Sequence, residues 1–318
     1  MLSFLLSILY KWTKFRRGEY PLSILYYHHV FAENEPYHPD DISAQNFEQQ
    51  IEFLQKHFNI LALAEAINLL EQKKLPPKAL VISFDDGYQD NYTTALPILE
   101  KFNAPATFFV ATEGVEKGYL WNDEIEQAIK KTTKEIISNK INGTALSIKT
   151  QSEKINAFHT LVNSLKFQSN EQRSIKIISL LEELNISTFT KTMMTTEQLS
   201  DLHYRGFTLG AHTHSHTILS TETNENVQQE LIINKNILEN ITKQAIDFLA
   251  YPNGLEGRDF SDTHCNIVQK LGFKAAFSSN DGGSVNSTNM YKIPRFMPYR
   301  KQLPLFALSI AKIAGEHV

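Results

Sequence analysis

The sequence predicts an α/β fold built on a parallel sheet or barrel. Three observations lead there. Dense β runs at 23–30, 80–84 and 106–111 alternate with stretches of helical period. One of them, Leu80-Val-Ile-Ser-Phe-Asp-Asp-Gly87, runs from apolar residues straight into two adjacent carboxylates and a glycine. Three histidines crowd into His212-Thr-His-Ser-His216 just after another β run. Acids and imidazoles beyond strand ends occupy the place where parallel α/β sheets carry their chemistry.

The chain of 318 residues is long enough for one large domain or two ordinary ones. It is 42% hydrophobic and 21% charged, so a sizeable core is affordable in ordinary globular terms. A net charge of −4 gives no global basic field, and nucleic acid is not an expected partner. The single cysteine, Cys265, has no internal partner for a disulfide, which fits a reducing compartment without requiring one.

Residues 1–10 are apolar, with Lys11, Lys14, Arg16 and Arg17 behind them. A signal peptide puts the positive charges first and a small-residue cleavage site last, and neither is seen. The stretch is also far short of the ~20 residues that span a bilayer as a helix. Leu2, Leu5, Leu6, Leu9 and Trp12 share one helical face. Residues 1–17 are therefore read either as an in-plane membrane contact or, preferred, as a helix packed on the protein's own body. The expected location is the cytoplasm or the inner membrane's periphery.

In order, 23–30 reads as a first core strand ending in His28 and His29. Phe47, Ile51 and Leu54 mark a helix, 59–63 a short strand, and Leu63, Ile67 and Leu70 a second helix closed by Pro76-Pro77. After the Asp-Asp-Gly strand, 92–102 is helical, with Pro97 starting or kinking it. From 123 to about 192 only helical patterns appear, read as a helical insertion. Thr195 with Gln198 forms a capping box for a helix to about His203. Strands follow at 207–211, 246–251 and 275–279, with helices on Val227, Leu231 and Leu238 and over 264–271. An extended piece at 290–296 holds Pro294-Arg295, and Phe306, Ile310 and Ile313 mark a closing helix.

The chemistry rests on two stretches. Read alone, Asp85-Asp86-Gly87 is equally a solvated turn. The histidine triplet shifts the balance, because imidazole is a common zinc ligand and a four-residue spacing lets two rings converge if the segment turns. Two histidines with one carboxylate make a recognised catalytic zinc set that leaves positions for water and substrate. Tyr251-Pro-Asn-Gly254 reads alone as a plain turn.

Together, Ser83-Phe-Asp-Asp-Gly87, Ala104-Pro-Ala-Thr-Phe-Phe-Val110 and His212-Thr-His-Ser-His216 resemble the motifs of the polysaccharide deacetylases of carbohydrate esterase family 4, the NodB-homology fold. The resemblance covers about 24–299 and is weakest over the helical insertion. Tyr27-His28-His29-Val30 looks like the opening of the subgroup that includes biofilm poly-N-acetylglucosamine deacetylases.

The resemblance implies a distorted (β/α)7 barrel of about seven strands and a mononuclear site for a divalent metal, of zinc type. By motif match, Asp86, His212 and His216 bind the metal and Asp85 is the general base. His214 falls at a variable position and is left off the metal. The N–H of Asn253 serves the oxyanion, with Tyr251 as a further substrate contact. Outside the motifs, Trp121 is read either as a wall of the cleft suited to sugar rings or as an anchor of the insertion. Two departures stand out. Where the third motif opens with an arginine that orients the base, this chain has Ala250, and Arg295 is the candidate replacement. The family's Leu-x-His motif, which carries the general acid, has no clear match, and His28 is the candidate acid.

The resulting expectation is a metal-dependent hydrolase that removes acetyl from an amino sugar in an envelope glycan or glycolipid precursor. A non-catalytic carbohydrate-binding protein and a small-amide hydrolase of the same fold are the alternatives. The expected layout is an amphipathic segment at 1–20, a deacetylase domain at 21–300 with the insertion at 123–192, and a C-terminal helix at 301–318.

Overall fold

In this computed structural model, Tyr10, Phe15 and residues 18–138 and 143–315 are described. Most of the expected amphipathic segment lies outside the described residues. Tyr10 is buried, with its hydroxyl 3.3 Å from Ser23 Oγ and its ring edge-on to Phe58.

The strands are β1 (Leu22–Tyr27), β2 (Val30–Phe31), β3 (Ile42–Ser43), β4 (Asn59–Ile60), β5 (Ala79–Phe84), β6 (Thr107–Val110), β7 (Ile136–Ile137), β8 (Leu146–Ser147), β9 (Thr208–Ala211), β10 (Phe248–Ala250) and β11 (Ala275–Phe277). Seven of them form one parallel sheet in the order β1-β5-β6-β9-β10-β11, with β4 also on β5. Helices follow most of these strands, as parallel pairing demands. The helix Ala44–His57 opens on Ser43, whose Oγ accepts the Asn46 N–H.

The sheet curls, and its two faces are separately packed. Along β5, Leu80, Ile82 and Phe84 join Phe47 and Ile51 of the helical layer. Ala79 and Val81 instead join Phe109, Phe248 and Phe277 from neighbouring strands. The period of two thus splits one wholly buried strand between two cores. Between β11 and β1 runs 293–296. Ile293 exchanges backbone hydrogen bonds with Ala276 and Ser278, and Phe296 with Ile24 and Tyr26. This segment joins the sheet's two edges.

Two expectations need adjustment. Asn91–Ala95 forms a π-helical turn before the α-helix Leu96–Lys101, and Pro97 stands in that helix's first turn, where its missing N–H costs nothing. The stretch read as wholly helical contains the antiparallel β7–β8 pair, because two-residue strands carry no readable period. The helices Trp121–Lys131, Gln151–Leu165 and Asn170–Leu184 share their own apolar cluster around Ile125, Ile129, Phe158, Leu161 and Ile177. Among the described residues, no helix is long and apolar enough to cross a membrane.

Gly210 in β9 faces the ring of Phe109. A Cβ there would lie 2.4 Å from Phe109 Cδ1 and 3.3 Å from the Phe248 carbonyl oxygen. Gly210→Ala is expected to overpack the sheet by about 1–3 kcal/mol, read as a lowered Tm in thermal melts. An unchanged Tm would mean that the two strands have room to spare.

Candidate active site at the strand ends

Asp85 and Asp86 follow β5, His212 follows β9, and Ala250 ends β10. All lie at the C-terminal edge of the sheet. The local backbone is unusual. Asp86 has φ 72°, Thr213 φ 60°, His216 φ 51° and Asn253 φ 56°, a left-handed region that non-glycine residues seldom occupy. Each such residue costs on the order of 1–3 kcal/mol and persists only where its surroundings enforce it. Here they do. The Asp85 N–H donates to the Tyr27 carbonyl at 2.8 Å, and the Asp86 carbonyl accepts the Ala111 N–H at 3.0 Å.

The left-handed turn at Asp86 sends the two carboxylates to different partners. Asp86 Oδ1 lies 3.3 Å from His212 Nε2 and 3.1 Å from His216 Nε2. His212 Nδ1–H donates to the Ala250 carbonyl at 2.8 Å, which leaves the Nε2 lone pair facing Asp86. Asp86 Oδ1 is buried and has no hydrogen-bond donor among the described residues. An orphaned carboxylate oxygen facing two imidazole nitrogens suits a divalent ion better than it suits the bare protein. Asp86, His212 and His216 each bring one donor atom within 4.8 Å of the others, so the set fits a zinc-type ion. Burial alone would raise the Asp86 pKa, but in the metal-free protein His216 and His212, when protonated, hold it well below the usual carboxylate range.

Asp85 faces Arg295. Nη1 donates to Oδ1 and Nη2 to Oδ2, both at 2.7 Å. The two residues are 3% and 1% exposed, so water does not screen the pair. Burial works to raise Asp85, and the Arg295 guanidinium outweighs it, leaving the carboxyl below its ordinary value. Arg295 is fixed in turn by Nε–H donating to the Ser278 carbonyl at 3.1 Å and by the Tyr26 ring 4.5 Å from Cζ. It belongs to the segment that joins the sheet's edges.

The histidine loop hangs on one helix, Asn224–Thr242. Asn234 Oδ1 accepts the His212 N–H, and its Nδ2 donates to the Val110 and Thr213 carbonyls. One turn earlier, Glu230 accepts the N–H groups of His214 and Ser215 and the Ser215 hydroxyl. Sequence reading missed both residues. A signal existed: Asn234 continues the apolar stripe Val227, Leu231 and Leu238, and a polar residue in a core stripe needs buried partners. His214 lies away from the cluster, with Nδ1 2.9 Å from Thr112 Oγ1.

The remaining expected site residues divide. Asn253 lines the cleft, and its N–H has no partner within the described residues. Trp121 lines it too, with the Arg173 guanidinium 4.8 Å from its ring and Nε1 unpaired among the described residues. His28 is half-buried, its ring edge-on to Tyr26 and near enough to stabilise both carboxylates electrostatically. Tyr251 is a correction. It is 1% exposed, stacked on Phe260 at 3.9 Å, and its hydroxyl donates to the Tyr291 carbonyl. One step beyond Ala250 on the strand, it points to the opposite face and joins the helical-side core.

The cleft is a cavity of about 290 Å³. His216 and Asn253 line it, as do Trp121, Phe158 and Arg173 from the helices Trp121–Lys131, Gln151–Leu165 and Asn170–Leu184. The family profile for polysaccharide deacetylase matches residues 72–276. The chain is 23% identical over 283 residues to the poly-beta-1,6-N-acetyl-D-glucosamine N-deacetylase of Staphylococcus aureus (strain N315), covering 89% of this chain and 75% of that one. Among solved structures, the fold is similar to Streptococcus pyogenes deacetylase PplD in complex with acetate, with TM-score 0.59, 19% identity, and 87% of this chain and 92% of that one covered. It is also similar to IcaB from Ammonifex degensii, with TM-score 0.59, 18% identity, and 93% and 98% covered. With its acid and histidine motifs at one sheet edge and the family match over most of its length, the chain belongs to the polysaccharide deacetylase family and is a hydrolase of the linear-amide deacetylase class.

Proposed function

We propose that this protein removes acetyl groups from an N-acetylated amino sugar in an envelope glycan or glycolipid precursor, in a metal-dependent reaction that releases acetate. The observation that carries the reading is the pairing of a buried, arginine-held Asp85 with the adjacent Asp86–His212–His216 donor set. The Staphylococcus relative's named substrate supports an N-acetylglucosamine polymer as the substrate class.

Each residue has a task. Asp86, His212 and His216 would hold a zinc-type ion. Such an ion supplies Lewis acidity, which polarises an amide carbonyl and acidifies a water. Asp85 takes the proton from the attacking water, since Arg295 keeps it ionised and fixes both of its oxygens. The unpaired Asn253 N–H donates to the oxygen that gains charge. His28, a half-buried imidazole that is not one of the three donor residues and whose charge acts on both acids, gives a proton to the leaving amine. Trp121 and Phe158 present apolar surface to the sugar rings.

Zinc-loaded protein is expected to release acetate from chitopentaose, to stop after dialysis against a chelator, and to recover when zinc is returned. Undiminished release in chelator, or none from any N-acetylated oligosaccharide, would overturn the reading. A second prediction concerns pH. Asp85 is held below its ordinary value by Arg295 against burial. Arg295→Met removes that hold, so the carboxyl rises and is protonated at a higher pH. The acid limb of kcat/KM should move to higher pH, with activity lost first under acidic conditions. If the limb stayed in place while the rate fell, Arg295 would have some task other than keeping the base ionised.

A further inference from the structure

A second convergence of ligand-type side chains lies beside the first. One donor atom from each of His29, His38 and Asp41 falls within 4.8 Å of the other two. His29 follows β1, while His38 and Asp41 belong to the loop between β2 and β3.

Each imidazole is already oriented by a carboxylate outside the trio. His29 Nδ1 is 2.6 Å from Asp90 Oδ2, so with the proton there Nε2 carries the free lone pair. That Nε2 is buried and has no partner among the described residues, and the residue is only 7% exposed. The ring cannot swing away, because it is stacked on Tyr88 at 3.7 Å and on Phe31 at 4.5 Å. His38 Nε2 is 2.8 Å from Glu126 Oε2, leaving Nδ1 3.6 Å from Asp41 Oδ2. The other oxygen of Asp41 accepts the His29 backbone N–H at 3.3 Å, which aims the carboxylate. A ring proton committed to a carboxylate, with the opposite nitrogen left free, is the arrangement that outer carboxylates impose on metal-binding histidines.

We propose that His29, His38 and Asp41 bind a second divalent transition-metal ion, of zinc type, with Asp90 and Glu126 as outer partners. Two imidazoles and one carboxylate suit that class of ion and leave a coordination position open. His38 and Asp41 line the same cleft as His216 and Asn253, so the open position serves the cleft. Donor atoms around a tetrahedral zinc are ~3.3 Å apart. Binding therefore draws the trio together, and the movement falls on the His38–Asp41 loop because the His29 ring is clamped. With protons in place of the ion, the same groups form a network of ion pairs, and metal counting separates the two cases.

Zinc content of the full chain, measured by mass spectrometry after dialysis against buffered micromolar zinc, is expected to be two equivalents. The double variant His212→Ala/His216→Ala should keep one, and His38→Gln/Asp41→Asn should also keep one. A wild-type content of one, all of it lost with His212 and His216, overturns the proposal. Loss of one equivalent in the His38/Asp41 variant but none in the His212/His216 variant would uphold this site and refute the active-site reading. Wild-type crystals measured at the zinc edge answer without any substitution. An anomalous peak among His29, His38 and Asp41 supports the site, and no peak there with the Asp86 site filled removes it.

Discussion

The structure turns on the buried pair of Arg295 and Asp85. A buried carboxylate survives only with close, well-aligned opposite charge, and two parallel hydrogen bonds of 2.7 Å supply it. Removing one partner of such a pair typically costs about 3–5 kcal/mol, because the other is left charged in a dry site. The pair also ties chemistry to topology. Arg295 lies on the segment that bonds to β1 on one side and to β11 on the other, so closing the sheet and positioning the acid are the same event.

The two adjacent acids differ because the backbone reverses between them. An extended residue at Asp86 would simply alternate with Asp85, but a φ of 72° turns it toward the imidazoles. The strain is held by hydrogen bonds at fixed points. Asn234 and Glu230, one helical turn apart, anchor the whole histidine loop from a single helix. The site is therefore built on sheet edge and helix, with its left-handed residues enforced from below and little left to loop flexibility.

Much of this was legible in the sequence because the signals are local. Branched and aromatic runs marked the buried strands, and abrupt acids or histidines marked their ends. The parallel α/β sheet followed from the alternation of strand and helix, and its seven strands from the family resemblance. The alanine at position 250 pointed to Arg295 as the guanidinium facing Asp85, but the two-pronged contact itself was not legible, since 210 residues separate the pair in sequence. Tyr251 was misread because a strand end does not announce which face its last side chain takes. Glu230 and Asn234 were missed because an amphipathic helix was scored for its apolar residues and not for the polar one in their stripe. His29 was read as the end of a strand, and nothing local shows that His38 and Asp41 return to it.

The central claim is a division of labour between neighbouring carboxylates, one for the ion and one for the proton. It is tested most directly by measuring bound zinc and acetate release together in Asp85→Asn and Asp86→Asn. The account predicts that Asp85→Asn keeps its full complement of zinc while turnover falls about 10²–10⁴-fold, and that Asp86→Asn loses one equivalent of zinc along with its activity. Near-normal turnover in Asp85→Asn, or unchanged zinc content in Asp86→Asn, would contradict it.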